Sequence, residues 1–552
     1  MKIFADEFGS SDNFSIPMIE AVKSLNSGDT LVFSDREYHF YRDFSQSKVI
    51  HMTNTDSFKN PQKFFAMLFE NLDNITIEGN GATFCIHGDM CSMAILNCNN
   101  FKLRDFTINY PSPSNVELTV KAKKGKKVLF EIPEKTLWYL DGKDVVFFEQ
   151  SPFTKKNYWQ FKNDENSHNG VLHSGNDVFR TLHFKGPFSK VKSAERKSMT
   201  ELEINYKVKR KFEVGETYTF SQNKNRNTCG LFVNESSNID AQNITVNYLP
   251  GFGWLSQMCE NVSFNNVTFK PDDKHHVSAF ADLIHICGCK GDVKITNCYF
   301  SHPHDDPINI HGSFLRFKEK KDNNTAVFEF IHKQQGGYRA FNDGDKVKFY
   351  YRSNLQELDG EYTVASAVDD IDAKTVTVKF NAPLPAEIEN KFMGISNIVA
   401  ENITYCPNVE IADCEFTAIP TRGILCTTAG KVRIHDNKFS HTAMAHIFIS
   451  NDAADWYESG PVRDVEIYSN YFYLTASKQY EQLNAPGVLI YPITSSRRVT
   501  KPIHQNIRIH SNYFQVGRDK PIKAIGVKDI DIYGNVYEGS SHVKLRHCTK
   551  AK

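Results

Sequence analysis

The chain has 552 residues, enough for three to four average domains or for one elongated repeat fold with insertions. Lys+Arg and Asp+Glu both number 65, and no basic run goes unanswered by acidic neighbours, which argues against nucleic acid or an anionic membrane as partner. Apolar residues make up 40% and aromatics 12%, which excludes a disordered chain; no apolar stretch approaches the ~20 residues that span a bilayer.

In chain order, Met1 to Ser10 holds Lys2, Asp6 and Glu7 and no apolar run. This reads as a bacterial protein, cytoplasmic as the sequence stands, and secreted or periplasmic if a leader was removed. Next comes a short helix, with Ser15 as its cap, Pro17 in its first turn and Met18, Ile19, Val22 and Leu25 as its apolar stripe. Such a helix would cover the open end of a strand stack. Of the twelve cysteines, Cys85, Cys98, Cys298, Cys414 and Cys426 sit in apolar or strand-like runs, so buried free thiols are expected rather than a disulfide framework. The sequons at Asn74, Asn243, Asn261, Asn266 and Asn402 also fall in strand-like runs.

The main signal is a repeat. Asn or Asp, Val or Ile, a polar residue and Ile or Phe recur, as in Asn74-Ile75-Thr76-Ile77, Asn261-Val262-Ser263-Phe264 and Asp529-Ile530-Asp531-Ile532. The second residue of each copy lies at 75, 101, 239, 262, 293, 409, 432, 465, 507 and 530, so successive steps are 26, 138, 23, 31, 116, 23, 33, 42 and 23. A unit of 23 residues with period-2 alternation cannot bury its own apolar face and must stack on its neighbours. The pattern predicts an all-β chain, a right-handed parallel β-helix with Asn or Gly at its corners. A leucine-rich repeat would need a Leu ladder that is absent.

The steps of 138 and 116 exceed one coil and predict two inserted modules. The first opens with Val116, Leu118 and Val120, a turn at Gly125, then Val128, Phe130 and Ile132; the second with Phe314, Leu315 and Phe317, then Val327, Phe328 and Phe330. Both read as small antiparallel β-barrels. The division expected is 1–112 for the cap and N-terminal coils, 113–226 for barrel 1 and 227–313 for the catalytic coils, then 314–397 for barrel 2 and 398–552 for the C-terminal coils.

The chemistry concentrates between the inserts, in Phe280-Ala281-Asp282-Leu283-Ile284-His285 and His302-Pro303-His304-Asp305-Asp306-Pro307. Asp282 and Asp305 are 23 apart, one base coil, so they are expected in one register, with the eight surplus residues of that coil assigned to Pro271–His276. Pro307 permits a bend that turns Asp305 and Asp306 into one cleft. Arg422 is expected to stack over Asp306, with His446 near the same register and Trp254 on the preceding coil as a sugar-stacking surface. Asn451, Asp452 and Trp456 form a polar–aromatic loop that could close the site. Three crowded carboxylates cannot all ionise, so one keeps a proton at neutral pH beside an ionised partner, the acid and base that glycoside hydrolysis requires. An acid–base separation of ~6.5–9.5 Å would indicate inversion.

Plainer readings stand beside this one. A single Asp on a β-helix is ordinarily a solvated face residue or turn cap, Trp254 and Trp456 could be packing, and Arg422 a structural ion pair. His302-Pro303-His304-Asp305-Asp306 has the HxHxD spacing of a zinc string but not its α/β context, so neither metal nor cofactor is expected.

The coil pattern, the two inserts, the Asp282/Asp305-Asp306 set and the segments Arg422–Leu425 and Asn451–Gly460 resemble glycoside hydrolase family 110, the bacterial α-1,3-galactosidases, from about residue 15 to 540. The resemblance implies an inverting, metal-independent exo-hydrolase of terminal α-1,3-linked galactose, as in blood group B or linear α-galactosyl glycans. It implies Asp305 as general acid and Asp282 with Asp306 as the water-activating base. Trp254, His304, Arg422, His446, Asn451, Asp452 and Trp456 are the candidate substrate-binding residues. The partner would be an oligosaccharide or glycoconjugate, and the inserts are candidate surfaces for a homo-oligomer. Rival readings are a polygalacturonase, which lacks its stacked basic pair here, a calcium-dependent lyase, and a non-catalytic glycan-binding β-helix.

Overall fold

The computed structural model describes residues 1–163, 170–181, 186–221, 226–474, 486–516 and 520–551. The repeat positions become hydrogen-bonded neighbours in one parallel ladder. Phe101 pairs with Ile239, Ile239 with Val262, Val262 with Val293 and Val293 with Val409. The series continues through Val432, Val465, Ile507 and Ile530. Across each insert the chain therefore leaves the coil and returns to the next rung without loss of register.

Two more parallel ladders complete each coil. One carries Phe269, Phe300, Phe416, Phe439, Phe472 and Phe514 in register. The other runs from Trp254 through Ile284, Ile308, Ile424, Ile447, Val488 and Ile522. Alternation along each strand turns these side chains inward, and the result is the parallel β-helix that the repeat predicts. The phenylalanines stack face to face with centroids 4.6–5.3 Å apart. All twelve cysteines are free, and ten of them are buried.

The corners use asparagine because a short amide side chain tolerates the left-handed conformation. Asn74, Asn100, Asn238, Asn261 and Asn266 all have φ between 53° and 58°. The sequon residues Asn243, Asn261 and Asn266 lie within strands Ser237–Val246 and Glu260–Phe269, as expected, each at a left-handed kink with φ of 55–57°. The N-terminal helix spans Ser15–Ser24 and buries Met18 and Ala21 against strands Gln62–Glu70 and Glu37–Tyr41. Its cap differs from expectation. Phe14 holds that position, Ser15 already has helical geometry, and Asn13 Oδ1 accepts from the Ser15 amide at 3.2 Å.

In the first insert, Val116–Lys124 and Lys127–Glu131 form the expected hairpin, within a seven-stranded antiparallel sheet. A three-stranded sheet, Leu137–Asp141, Asp144–Gln150 and Asn157–Asn163, shares its core through Trp138, Phe147 and Trp159. The second insert closes on itself. Ile308–Lys320, Thr325–Glu329, Thr375–Phe380, Tyr362–Asp370, Lys346–Tyr351 and Ile398–Asn402 pair in a complete antiparallel ring.

Candidate active site

The three aspartates lie at one corner of the coil, in the non-ladder turns that precede the third ladder. Around this corner Ala279 pairs with Pro303 and Ile284 with Ile308, a step of 24 residues. Asp282 is therefore level with Asp306, not with Asp305 as the spacing of 23 predicts. The reason is a bulge. Glu260 pairs with Lys290 but Val262 with Val293, so one of the eight surplus residues sits at Gly291, whose φ is +70°, and not in the Pro271–His276 loop. Arg422 does stack over Asp306, through the Ile308–Ile424 pair.

Asp282, Asp305 and Asp306 each bring a carboxylate oxygen to within 4.8 Å of the others. The side chains of Asp282 and Asp306 are 4% and 2% exposed, and that of Asp305 is 19% exposed. Three guanidiniums answer them. Arg422 grips Asp306 in a bidentate pair, Nη2 to Oδ2 at 2.6 Å and Nε to Oδ1 at 3.0 Å, and its backbone N–H donates to the same Oδ1 at 3.1 Å. Arg180, from strand Asp177–Thr181 of the first module, approaches Asp305 Oδ1 to 2.8 Å. Arg226, where that module returns to the coil, stands 3.4 Å from Asp305 Oδ2 and stacks over Phe252 at 4.8 Å. Arg226 is pinned by Asp56, whose carboxylate accepts its backbone N–H at 3.1 Å.

This setting splits the three carboxyls. Burial, then the negative Asp305 and Asp306, push Asp282 well above the ordinary carboxylate range. Burial also raises Asp306, with Arg422 opposing. Asp305 is buried too, but Arg180, Arg422 and Arg226 together hold it below the usual range. Of the three, Asp282 is therefore the carboxyl that keeps a proton and Asp305 the one held ionised. A cluster of carboxylates can attract a cation, but here guanidiniums already hold the charge-neutralising positions.

The remaining sequence candidates divide. Asp452 shapes the loop by accepting from the amides of Ala454, Asp455 and Trp456 at 2.7, 2.8 and 3.1 Å. Trp456 is 37% exposed and stacks on His332 of the second module at 4.1 Å. Others are corrected. Trp254 is wholly buried, edge-on to Phe264 at 4.9 Å, because its ladder position faces the coil interior. His446 is likewise interior, beside Phe439 and Phe472 with its ring parallel to both at 5.6 and 5.8 Å. Asn451, at 1% exposure, is as deeply buried as Asp306, so burial alone does not remove it from the candidates. His304 is spent on holding the first module, with Nε2 on Thr219 Oγ1 at 2.7 Å and Nδ1 on Asn115 Nδ2 at 3.1 Å.

Sequence reasoning missed Arg180, Arg226, His285, His311 and Glu458. The arginines sit in or beside the first insert, off the repeat register, and carry no local signal. Glu458 reaches the site because Glu458–Ser459 pairs antiparallel with Gly312–Ser313. His285 Nδ1 lies 2.9 Å from Asp282 Oδ2, and the segment containing it was legible as chemistry-rich, though its role was not.

A corner cleft with one partly exposed and two buried carboxyls, their charges set apart by arginines, has the equipment of acid–base glycoside hydrolysis. Residues 325–391 match the family model described as GLAA-B beta-barrel domain II. The chain is 30% identical to alpha-1,3-galactosidase A of Streptomyces avermitilis, over 98% of this chain and 87% of that protein. It is 31% identical to alpha-1,3-galactosidase A of Bacteroides fragilis, over 82% of this chain and 72% of that one. Alpha-1,3-galactosidase B of Bacteroides thetaiotaomicron is 29% identical over 90% of this chain and 78% of its own length. Among solved structures, a family 28 exopolygalacturonase of Yersinia enterocolitica has a TM-score of 0.41 at 10% identity, over 100% of this chain and 78% of that chain. The chain belongs to the α-1,3-galactosidase family, glycoside hydrolase family 110.

Proposed function

We propose that this protein is an exo-acting, inverting glycosidase that removes terminal α-1,3-linked galactose, from blood group B-type or linear α-galactosyl glycans, with no metal in the reaction. The observation that carries the reading is the triplet Asp282, Asp305 and Asp306 with oxygens within 4.8 Å, in a chain of the α-1,3-galactosidase family.

Asp305 is the general acid. It is the most exposed of the three, so it is the carboxyl that can reach the glycosidic oxygen. Its arginines hold its carboxyl below the usual range, so it must take up a proton from solvent as substrate binds before it can donate. Sugar hydroxyls that engage Arg180 and Arg226 would weaken their hold on Asp305 and favour that uptake. Asp282 and Asp306 form the base and hold the attacking water. Their oxygens lie closer to Asp305 than the ~6.5–9.5 Å usual between inverting carboxyls. Burial supports inversion nonetheless: a carboxylate 2–4% exposed cannot bond the anomeric carbon, yet it can hydrogen-bond a water that does. Trp456, the exposed aromatic of the loop shaped by Asp452, offers a face for the sugar.

Incubation with a Galα1-3Gal disaccharide tests the substrate. Galactose release that persists in EDTA is expected. No release, under conditions where an oligogalacturonide is cut, overturns the reading.

A further inference from the structure

Behind Asp282 runs a buried chain of two histidines that acid–base hydrolysis by three aspartates does not use. His285 Nδ1 meets Asp282 Oδ2 at 2.9 Å, and His285 Nε2 meets His311 Nε2 at 2.9 Å. His311 Nδ1 ends the chain on the carbonyl oxygen of Gly312 at 2.7 Å. Both imidazoles are buried, at 0% and 2% exposure, and the His285 ring lies against Phe252 at 4.4 Å.

The end of the chain dictates where its protons sit. A carbonyl only accepts, so His311 carries hydrogen on Nδ1. With both rings neutral, His311 Nε2 is bare and accepts from His285 Nε2–H. His285 Nδ1 is then bare too and must accept from a protonated Asp282. A second arrangement uses the same contacts with every shared hydrogen moved one place. Asp282 is then a carboxylate, His285 donates to it from Nδ1, and His311 is an imidazolium donating from Nε2.

Two neighbours favour this second arrangement. Glu458 Oε1 stands 3.6 Å from His311 Nε2 and balances the imidazolium. The Asn54 amide nitrogen lies 3.2 Å from His285 Nε2 and can donate there only once that atom is bare. The other charged groups facing the chain are Asp305, Asp306, Arg226 and Arg422 around Asp282, with Arg226 also facing His285.

We propose that Asp282, His285 and His311 form a two-hop proton relay that empties Asp282 for its work as base and seats the proton on His311 beside Glu458. In the first hop the Asp282 O–H bond breaks as the His285 Nδ1–H bond forms. In the second, the His285 Nε2–H bond breaks as the His311 Nε2–H bond forms. No proton enters or leaves, and no electron is transferred. Asp282 then takes the proton of the attacking water while Asp305 gives its own to the leaving oxygen. When the relay runs back, Asp282 regains its own proton as the one it took from water passes to Asp305, and the cycle closes. The buried environment, which pushes Asp282 up and His285 well down, keeps the neutral arrangement as the resting one.

The proposal rests on Asp282 acting as base in the galactosidase reaction. Its test is His311→Gln, which retains an acceptor for His285 Nε2 but cannot take a proton. Galactose release near pH 6.5 is expected to fall about 30-fold or more, with KM within about threefold. The pH optimum should rise by about one unit, because Asp282 must now lose its proton to solvent. A purely structural histidine would lower the rate without moving the optimum. His285→Asn, which still bonds Asp282 but cannot shuttle a proton, should behave alike and serves if His311→Gln fails to fold. A kcat within threefold of the parent, or an optimum that stays in place, overturns the relay. A parent chain that releases no galactose overturns the galactosidase reading instead, so the two failures are distinct.

Discussion

The inner ladders of the coil and its catalytic corner are built from the same rungs but follow opposite rules. In the ladders each position repeats its neighbour: six phenylalanines stack in a column, and buried Asn437, Asn470 and Asn512, with half-buried Asn535, pass one hydrogen bond from coil to coil. At the corner no two consecutive rungs are alike. Asp282, Asp306 and Arg422 stand one above another, and Arg180, Arg226 and Glu458 reach in from excursions off the repeat. Repetition lets each rung pack or hydrogen-bond on the next and yields stability. Function needs unlike charges brought together, and the coil obtains them by leaving its own register and returning.

That contrast can be broken from either side. The largest effect is expected from Asp305→Asn, which keeps size and fold but removes the acid: turnover should fall about 10³-fold or more, with an unchanged melting temperature. Normal galactose release by this variant would remove Asp305 from the chemistry. In the ladder the consequence reverses. Phe439→Ala deletes a fully buried ring between Phe416 and Phe472 and should cost about 3–5 kcal/mol in denaturant unfolding, with kcat little changed while the chain stays folded.

Asn470→Ala should cost less, about 1–3 kcal/mol by the same measurement, because it strands the Asn437 amide and the Ile434 carbonyl. The smallest and most specific effect concerns Glu149, which accepts from Trp159 Nε1 and the Gly88 amide where the first module meets the coil. Burial pushes this carboxyl up to about 8. Its folded-state pKa lies above its unfolded one, so the stability it supports is complete below the ordinary carboxylate range and is lost as pH rises towards 8. Glu149→Gln should flatten that decline in a series of melting temperatures between pH 5 and 8.5. A decline of unchanged slope would assign the pH dependence elsewhere.

The same division governs what could be read from the sequence. The repeat positions were legible because stacking demands period-2 alternation and a fixed rung length; Val262, Val293 and Val409 pair as the arithmetic requires. The Asp triplet was legible because it is dense and proline-bent. Its register was not, because a single residue bulged out at Gly291 carries no compositional mark. Trp254 and His446 misled because residue type suggests chemistry, whereas the ladder face on which each falls turns it inward. Arg180 and Arg226 stayed hidden because their nearness to Asp305 depends on how the first module docks, through His304, Asn115 and Thr219 and through His441 and Asp177. The histidine relay was hidden for another reason: on paper His285 and His311 are two strand residues 26 apart, and only the coil brings their rings together.

The central claim is that water held by buried Asp282 and Asp306 attacks galactose while Asp305 protonates the departing oxygen. Proton NMR of a Galα1-3Gal disaccharide with fresh enzyme, following the anomeric signals in the first minutes before mutarotation, tests it most directly. β-Galactose appearing first is the predicted result. α-Galactose appearing first would mean retention, a covalent intermediate and a carboxylate in contact with the sugar, and would contradict the roles assigned to all three aspartates.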